Sequence, residues 1–246
     1  MIVDDTFLDR VAHDLRGELS TMLAGLHYVQ RIRADVGTPS RDMLERVNEA
    51  GDRMTRLLEE VDDAVWLLDK PKPLLCESLQ LRSLMEDLVQ RAGKLSSRRG
   101  VHLRVETTDA QDRPFVGDAE VLARALLHVA DFAMLRAPGP DVRVTAEFVS
   151  DSPLVCIEDR GALIPEGVAV RLFEPFVENE LVSLHPTGRR KVRLGLGLAI
   201  ARAMLQAHGG SISMDSQSNG GATGVVFRCV LTGDASTCGT PTNVVG

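Results

Sequence analysis

From residue 44 to residue 68 the apolar residues Leu44, Val47, Gly51, Met54, Leu58, Val61, Val65 and Leu68 advance by three and four in unbroken alternation. Such a seam, held over more than three heptads, confines the stretch to a helix that must bury one stripe against other helices. Glu45, Arg46, Asp52, Arg53 and Glu59 fall outside the seam. A second amphipathic helix comes before it: Leu8, Val11, Leu15, Leu19, Met22, Leu26 and Val29 recur at helical steps, and Gly37 and Pro39 break the pattern between the two. Two antiparallel helices with one stripe each do not bury both stripes within a hairpin. A homodimer with a four-helix bundle is therefore expected.

His13 does not belong to the first stripe. It stands two residues from Val11 and two from Leu15, with charged Asp14 and Arg16 as neighbours, and so projects toward solvent. A carboxylate that accepts one imidazole N–H leaves the other ring nitrogen free as a nucleophile, an arrangement suited to phosphoryl transfer. His13, Asp14 and Arg16 are the candidate catalytic residues.

Lys70-Pro71-Lys72-Pro73 ends the helical region, since proline lacks the N–H donor and disfavours helix in the residue before it. Beyond it the pattern changes. Helices are expected at 81–92, 119–135 and 198–208, and strands at 101–106, 142–149, 154–158, 211–215 and 225–231. The fold class is α+β: an N-terminal helical hairpin, then an α/β sandwich with an antiparallel or mixed sheet and helices on one face. The expected domains are 1–70, 71–233 and a polar tail at 234–246 rich in Gly, Pro and Thr.

With 246 residues, 44% hydrophobic and 26% charged, the chain suffices for two modest cores. A net charge of −7 leaves no basic excess for phosphates along a duplex, so no nucleic-acid partner is expected. No apolar run approaches the roughly 18 residues of a membrane span. The expected location is cytoplasmic. Cys76, Cys156, Cys229 and Cys238 lack metal-ligand spacing, and free thiols are expected.

Gly195 and Gly197 precede a helical pattern through Leu198, Ile200, Ala201 and Leu205, and glycines there let backbone N–H groups approach a phosphate. The segment LGLGLAIARAMLQAHGG resembles the second glycine box of the sensor histidine kinases. Other boxes follow in the same order over most of the chain. His13-Asp14-Leu15-Arg16 resembles the phosphoacceptor box, Asp159-Arg160-Gly161 with Ile164-Pro165 the first glycine box, and Leu172-Phe173-Glu174-Pro175-Phe176 the phenylalanine box.

The resemblance implies a sandwich of the histidine kinase, gyrase and chaperone ATPase type, with ATP as cofactor and His13 as phosphoacceptor. It implies Asp159 as acceptor of the adenine amino group, with Gly161 beside it, and Gly195 and Gly197 beneath the phosphates. Its implied partner is a response-regulator receiver domain, with another histidine kinase as a further one. Departures from the family pattern bear on the chemistry. The helix after Asp118 carries His128 and Phe132 where the family has two asparagines, the second a Mg²⁺ ligand. A phenyl ring supplies no hard oxygen, so the Mg²⁺ site is expected to be lost and no metal ligand is assigned. His128 remains a candidate nucleotide contact, and basic Arg190 and Lys191 in the lid are candidates to neutralise phosphate. Leu163 replaces a glycine and is expected to fill space beside the adenine; Gly17 stands where the family has a threonine or asparagine that positions the hydrolytic water, and Glu18 where it has a proline that bends the helix. The expected protein is a two-component signalling protein with impaired ATP-dependent autophosphorylation; the alternatives are a histidine phosphotransferase or pseudokinase that does not use ATP, and a dimeric scaffold that regulates a partner kinase.

Overall fold

The computed structural model describes residues 15–17, 19–28, 41–67, 73–107, 113–137, 139–182, 194–219 and 222–232. His13, Asp14, Arg190, Lys191 and the tail expected at 234–246 lie outside these residues. Helix α1 covers the described residues up to 28, and α2 spans Arg41–Asp63, followed by a 3-10 turn at Ala64–Leu67. Gly51 faces α1, since a Cβ placed there would meet the Met22 methyl at 3.6 Å.

Within one chain the heptad seam is only partly covered. Leu58 is 50% exposed, and Leu19 and Leu26 of the α1 stripe are 45% and 43% exposed. Ala50, Leu57 and Ala64, one step before seam residues 51, 58 and 65, are buried instead. So α2 uses two faces: one is packed inside the chain, and the seam is covered only in part, with Val61 and Val65 against the core and Leu58 exposed.

The second unit begins with β1 (Glu77–Gln80), which pairs antiparallel with β3 (Pro114–Gly117) in a small two-stranded sheet. Then come α3 (Leu81–Arg99), β2 (His102–Thr107), α4 (Ala119–Arg136), β4 (Asp141–Val149) and β5 (Ser152–Asp159). Short helices α5 (Glu166–Ala169) and α6 (Glu178–Val182) lead to α7 (Gly197–Ala207), β6 (Ser211–Asn219) and β7 (Ala222–Val230). The main sheet has the order β2-β4-β5-β7-β6, with β2 parallel to β4 and every other pair antiparallel.

Strand periodicity sets the core. Alternate residues Val142, Val144 and Ala146 of β4, and Val155 and Ile157 of β5, are buried. Helix α4 packs on α3, α7 and the sheet, and its alanines let the neighbours approach closely. Phe132 meets Phe227 of β7 edge to face, with ring centroids 5.7 Å apart. His208 ties the end of α7 to the start of α4: its Nδ1 donates to the Met204 carbonyl at 2.8 Å, and its Nε2 accepts from the Asp118 N–H at 3.2 Å. Asp118 caps α4 by accepting from Val121 N–H, and its other oxygen accepts from Leu75 N–H at 2.7 Å.

Helix α3 continues past the expected end at 92, through Gly93, to a C-cap at Gly100. The small sheet and the two short helices have no counterpart in the sequence expectation. Cys156 and Cys229 are free thiols, whereas Cys76 is disulfide-bonded. This corrects the expectation for Cys76, because the absence of metal-ligand spacing does not report whether a thiol is paired. Among the described residues no helix is long and apolar enough to cross a membrane.

Candidate functional site

Asp159 is the last residue of β5, in the register that turns Val155 and Ile157 inward, so the strand's own alternation carries a carboxylate to the buried face. It is fully buried. Its Oδ1 accepts the Gly161 N–H at 2.8 Å, and its Oδ2 accepts Arg136 Nε at 3.0 Å. Burial pushes the Asp159 carboxyl above the usual carboxylate range, against the pull of Arg136 and the Gly161 N–H. A side chain at Gly161 would lie 2.9 Å from the Arg136 carbonyl, which is why the chain turns here on glycine.

Arg136 ends α4, four residues after Phe132, and its guanidinium lies 5.7 Å from that ring. It also donates to the Ala162 carbonyl. Arg136 thus spans Asp159, the following turn and the face of Phe132, and its side chain is 12% exposed. Leu163, expected to fill space beside the adenine, is 45% exposed. The group that reaches the carboxylate is Arg136, and sequence reasoning passed over it. Its signal was the helical spacing, since Arg136 continues the face that carries His128 and Phe132.

The glycine segment forms a loop gripped from two sides. Gly195 has a φ of 78°, and a Cβ there would come within 2.5 Å of the Asn179 amide. Asn179 Nδ2 donates to the Leu194 carbonyl at 2.8 Å, and the Phe176 N–H donates to the Gly195 carbonyl at 2.7 Å. Phe176 itself holds a φ of 71°, a left-handed conformation rare for an aromatic residue. Glu178 accepts from the Leu198 N–H, in the first turn of α7.

Glu60 of α2 approaches from the other side. Its Oε1 accepts the Leu196 N–H at 2.8 Å and its Oε2 accepts the Leu194 N–H at 3.3 Å. The glycine loop therefore gathers carboxylates on its backbone donors, as a loop with converging N–H groups does. One turn on, buried Asp63 accepts from Arg124 and pairs with His128 Nε2 at 2.9 Å. His128, a candidate nucleotide contact, is thus engaged by α2. Glu60, Asp63 and Glu178 were not picked out from the sequence.

Phe132, at the second asparagine position, is 1% exposed and lies in the core. It offers no oxygen to a cation. Arg16, on α1, is exposed. The structure brings Asp159 and Gly161 together at one end of the site, and Gly195 and Gly197 at the loop.

Residues 117–233 match the family model described as histidine kinase-, DNA gyrase B- and HSP90-like ATPase. The chain is 26% identical over 227 residues to the sensor protein DivL of Caulobacter vibrioides, covering 92% of this chain and 27% of DivL. It is 31% identical over 231 residues to the sensor protein KdpD of Mycobacterium tuberculosis, covering 90% of this chain and 25% of KdpD. The chain therefore spans about a quarter of the length of these curated relatives. The histidine kinase ThkA, solved in complex with the response regulator protein TrrA, superposes with a TM-score of 0.63 at 18% identity. That alignment covers 93% of this chain and 62% of the ThkA chain, and it carries the fold alone.

Proposed function

This chain is a catalytic core of the histidine kinase type, and we propose that it is a two-component signalling protein whose His13 carries a phosphoryl group to a receiver-domain aspartate. In this reading an imidazole nitrogen attacks phosphorus and displaces the donor's oxygen. The aspartate oxygen of the receiver then attacks the same phosphorus, the P–N bond breaks, and its electron pair returns to the ring. Asp14 orients the imidazole and Arg16 faces the incoming phosphoryl oxygens. ThkA's complex with a response regulator supports this class of partner. The half-exposed Leu19, Leu26 and Leu58 support the homodimer, because a second copy would cover them.

Autophosphorylation from ATP is impaired in this proposal. The observation that carries it is the Arg136–Asp159 ion pair at 3.0 Å. ATP is the cofactor of the ATPase family whose model matches residues 117–233, and its adenine would need the carboxylate oxygen that Arg136 now holds. Phe132 in the core does not suit Mg²⁺, so the residues present do not fit a metal–nucleotide complex. The phosphoryl group then comes to His13 from outside, from a phosphorylated receiver domain or a partner kinase.

The test uses wild type and His13→Ala side by side, first with γ-labelled ATP and Mg²⁺, then with a receiver domain charged with labelled acetyl phosphate. The expected result is acid-labile label from the receiver on wild type alone and none from ATP. Label retained on His13→Ala would remove His13 from its role. Rapid labelling of wild type by ATP would remove the impairment.

A further inference from the structure

Helix α2 reaches the glycine loop and α4 at two points one turn apart. Glu60 takes the Leu194 and Leu196 N–H groups, and Asp63 takes Arg124 and His128. Both carboxyl side chains are buried. These contacts join residues 134 and 136 positions apart at the loop, and 61 and 65 positions apart at α4. A local cap needs neither. Their effect is to fix the loop, α4 and the end of α2 as one body.

We propose that Glu60 and Asp63 form a latch that holds the helical unit against the ATPase-like unit, and that the latched loop and a phosphate-bearing anion at the same loop exclude each other. The exclusion is direct, since both need the Leu194 and Leu196 donors. Repulsion adds to it, because an anion at the loop would meet two carboxylates, Glu60 and Glu178. Linkage then works both ways: an anion bound at the loop releases α2, and release of α2 raises the loop's affinity for the anion. Release also frees His128 and Arg124 from Asp63. The proposal rests on the histidine kinase reading of the glycine loop. It does not depend on the base end, because a phosphate anion needs no adenine contact.

Two measurements on the whole chain test it. Amide exchange at Leu194 and Leu196 is compared in wild type, Glu60→Gln and Asp63→Asn, with strands β5 and β7 as the check that the fold persists. Asp63 does not touch either amide, so a latch predicts at least fivefold faster exchange in Asp63→Asn as well as in Glu60→Gln. Acceleration in Glu60→Gln alone would make Glu60 a local cap and overturn the latch. Inorganic pyrophosphate is then titrated calorimetrically, and Glu60→Gln should bind it about tenfold more tightly than wild type. Equal affinity in the two, or binding to neither, would overturn the exclusion. Failure of ATP to label the protein belongs to the earlier reading and leaves both results standing.

Discussion

At the base end of the site, Asp159 is closed by Arg136, which comes from the same unit and is fixed by a helix packed on both sides. At the loop end, the Leu194 and Leu196 N–H groups are met by Glu60, which comes from α2, beyond the 70–73 proline boundary. A group that arrives from within a packed core leaves only if that core is disturbed. A group that arrives on a separate helix leaves when two surfaces part, which here also uncovers Leu57, Ala64 and Trp66 at the same end of that helix. The two ends thus carry different kinds of closure, one built in and one dependent on how the helical unit sits.

The largest expected effect falls at the base end. Arg136→Ala leaves the fully buried Asp159 carboxylate with the Gly161 N–H and no countercharge, and should lower stability by about 3–5 kcal/mol at neutral pH. The pH sign follows from the raised Asp159 value. Its stabilising contribution is present below the ordinary carboxylate range and is lost as pH rises through the folded value. Without Arg136 that value rises further, so urea melts should show the variant's deficit shrinking between pH 7 and about pH 4.5. An equal deficit at both pH values would break the assignment of Arg136 as countercharge.

A smaller effect is expected at His208, which belongs to neither end and joins the helices that frame both. His208→Ala strands the Asp118 N–H and the Met204 carbonyl and should cost about 2 kcal/mol. Its pH sign is opposite to that of Asp159. Burial depresses the His208 value, so its contribution is present above the ordinary histidine value of about 6.5 and is lost as pH falls toward the folded value. Melts of wild type should weaken below about pH 6.5, and those of His208→Ala should weaken less. Equal slopes would mean that another group sets the acid limb.

How far the sequence showed this arrangement differs between the two ends for a physical reason. Strand alternation marked β4 and β5, and the same alternation put Asp159 on the inner face. The glycine segment was legible because its backbone chemistry is local. Strands β1 and β3, four residues each with one and two buried positions, give too short a pattern to recognise. Arg136 was partly legible, since the 3.6-residue period places it over Phe132. Glu60 and Asp63 were not, because a charged residue on an amphipathic helix reads as solvated until the fold brings a partner more than sixty positions away.

Calorimetric titration of the wild-type chain with ATP and Mg²⁺ asks whether Arg136 keeps adenine from Asp159. Closure of the base end by Arg136 predicts no saturable binding tighter than about 1 mM. Micromolar binding that Asp159→Asn abolishes would contradict it, because Asp159 would then be serving adenine while Arg136 stood aside.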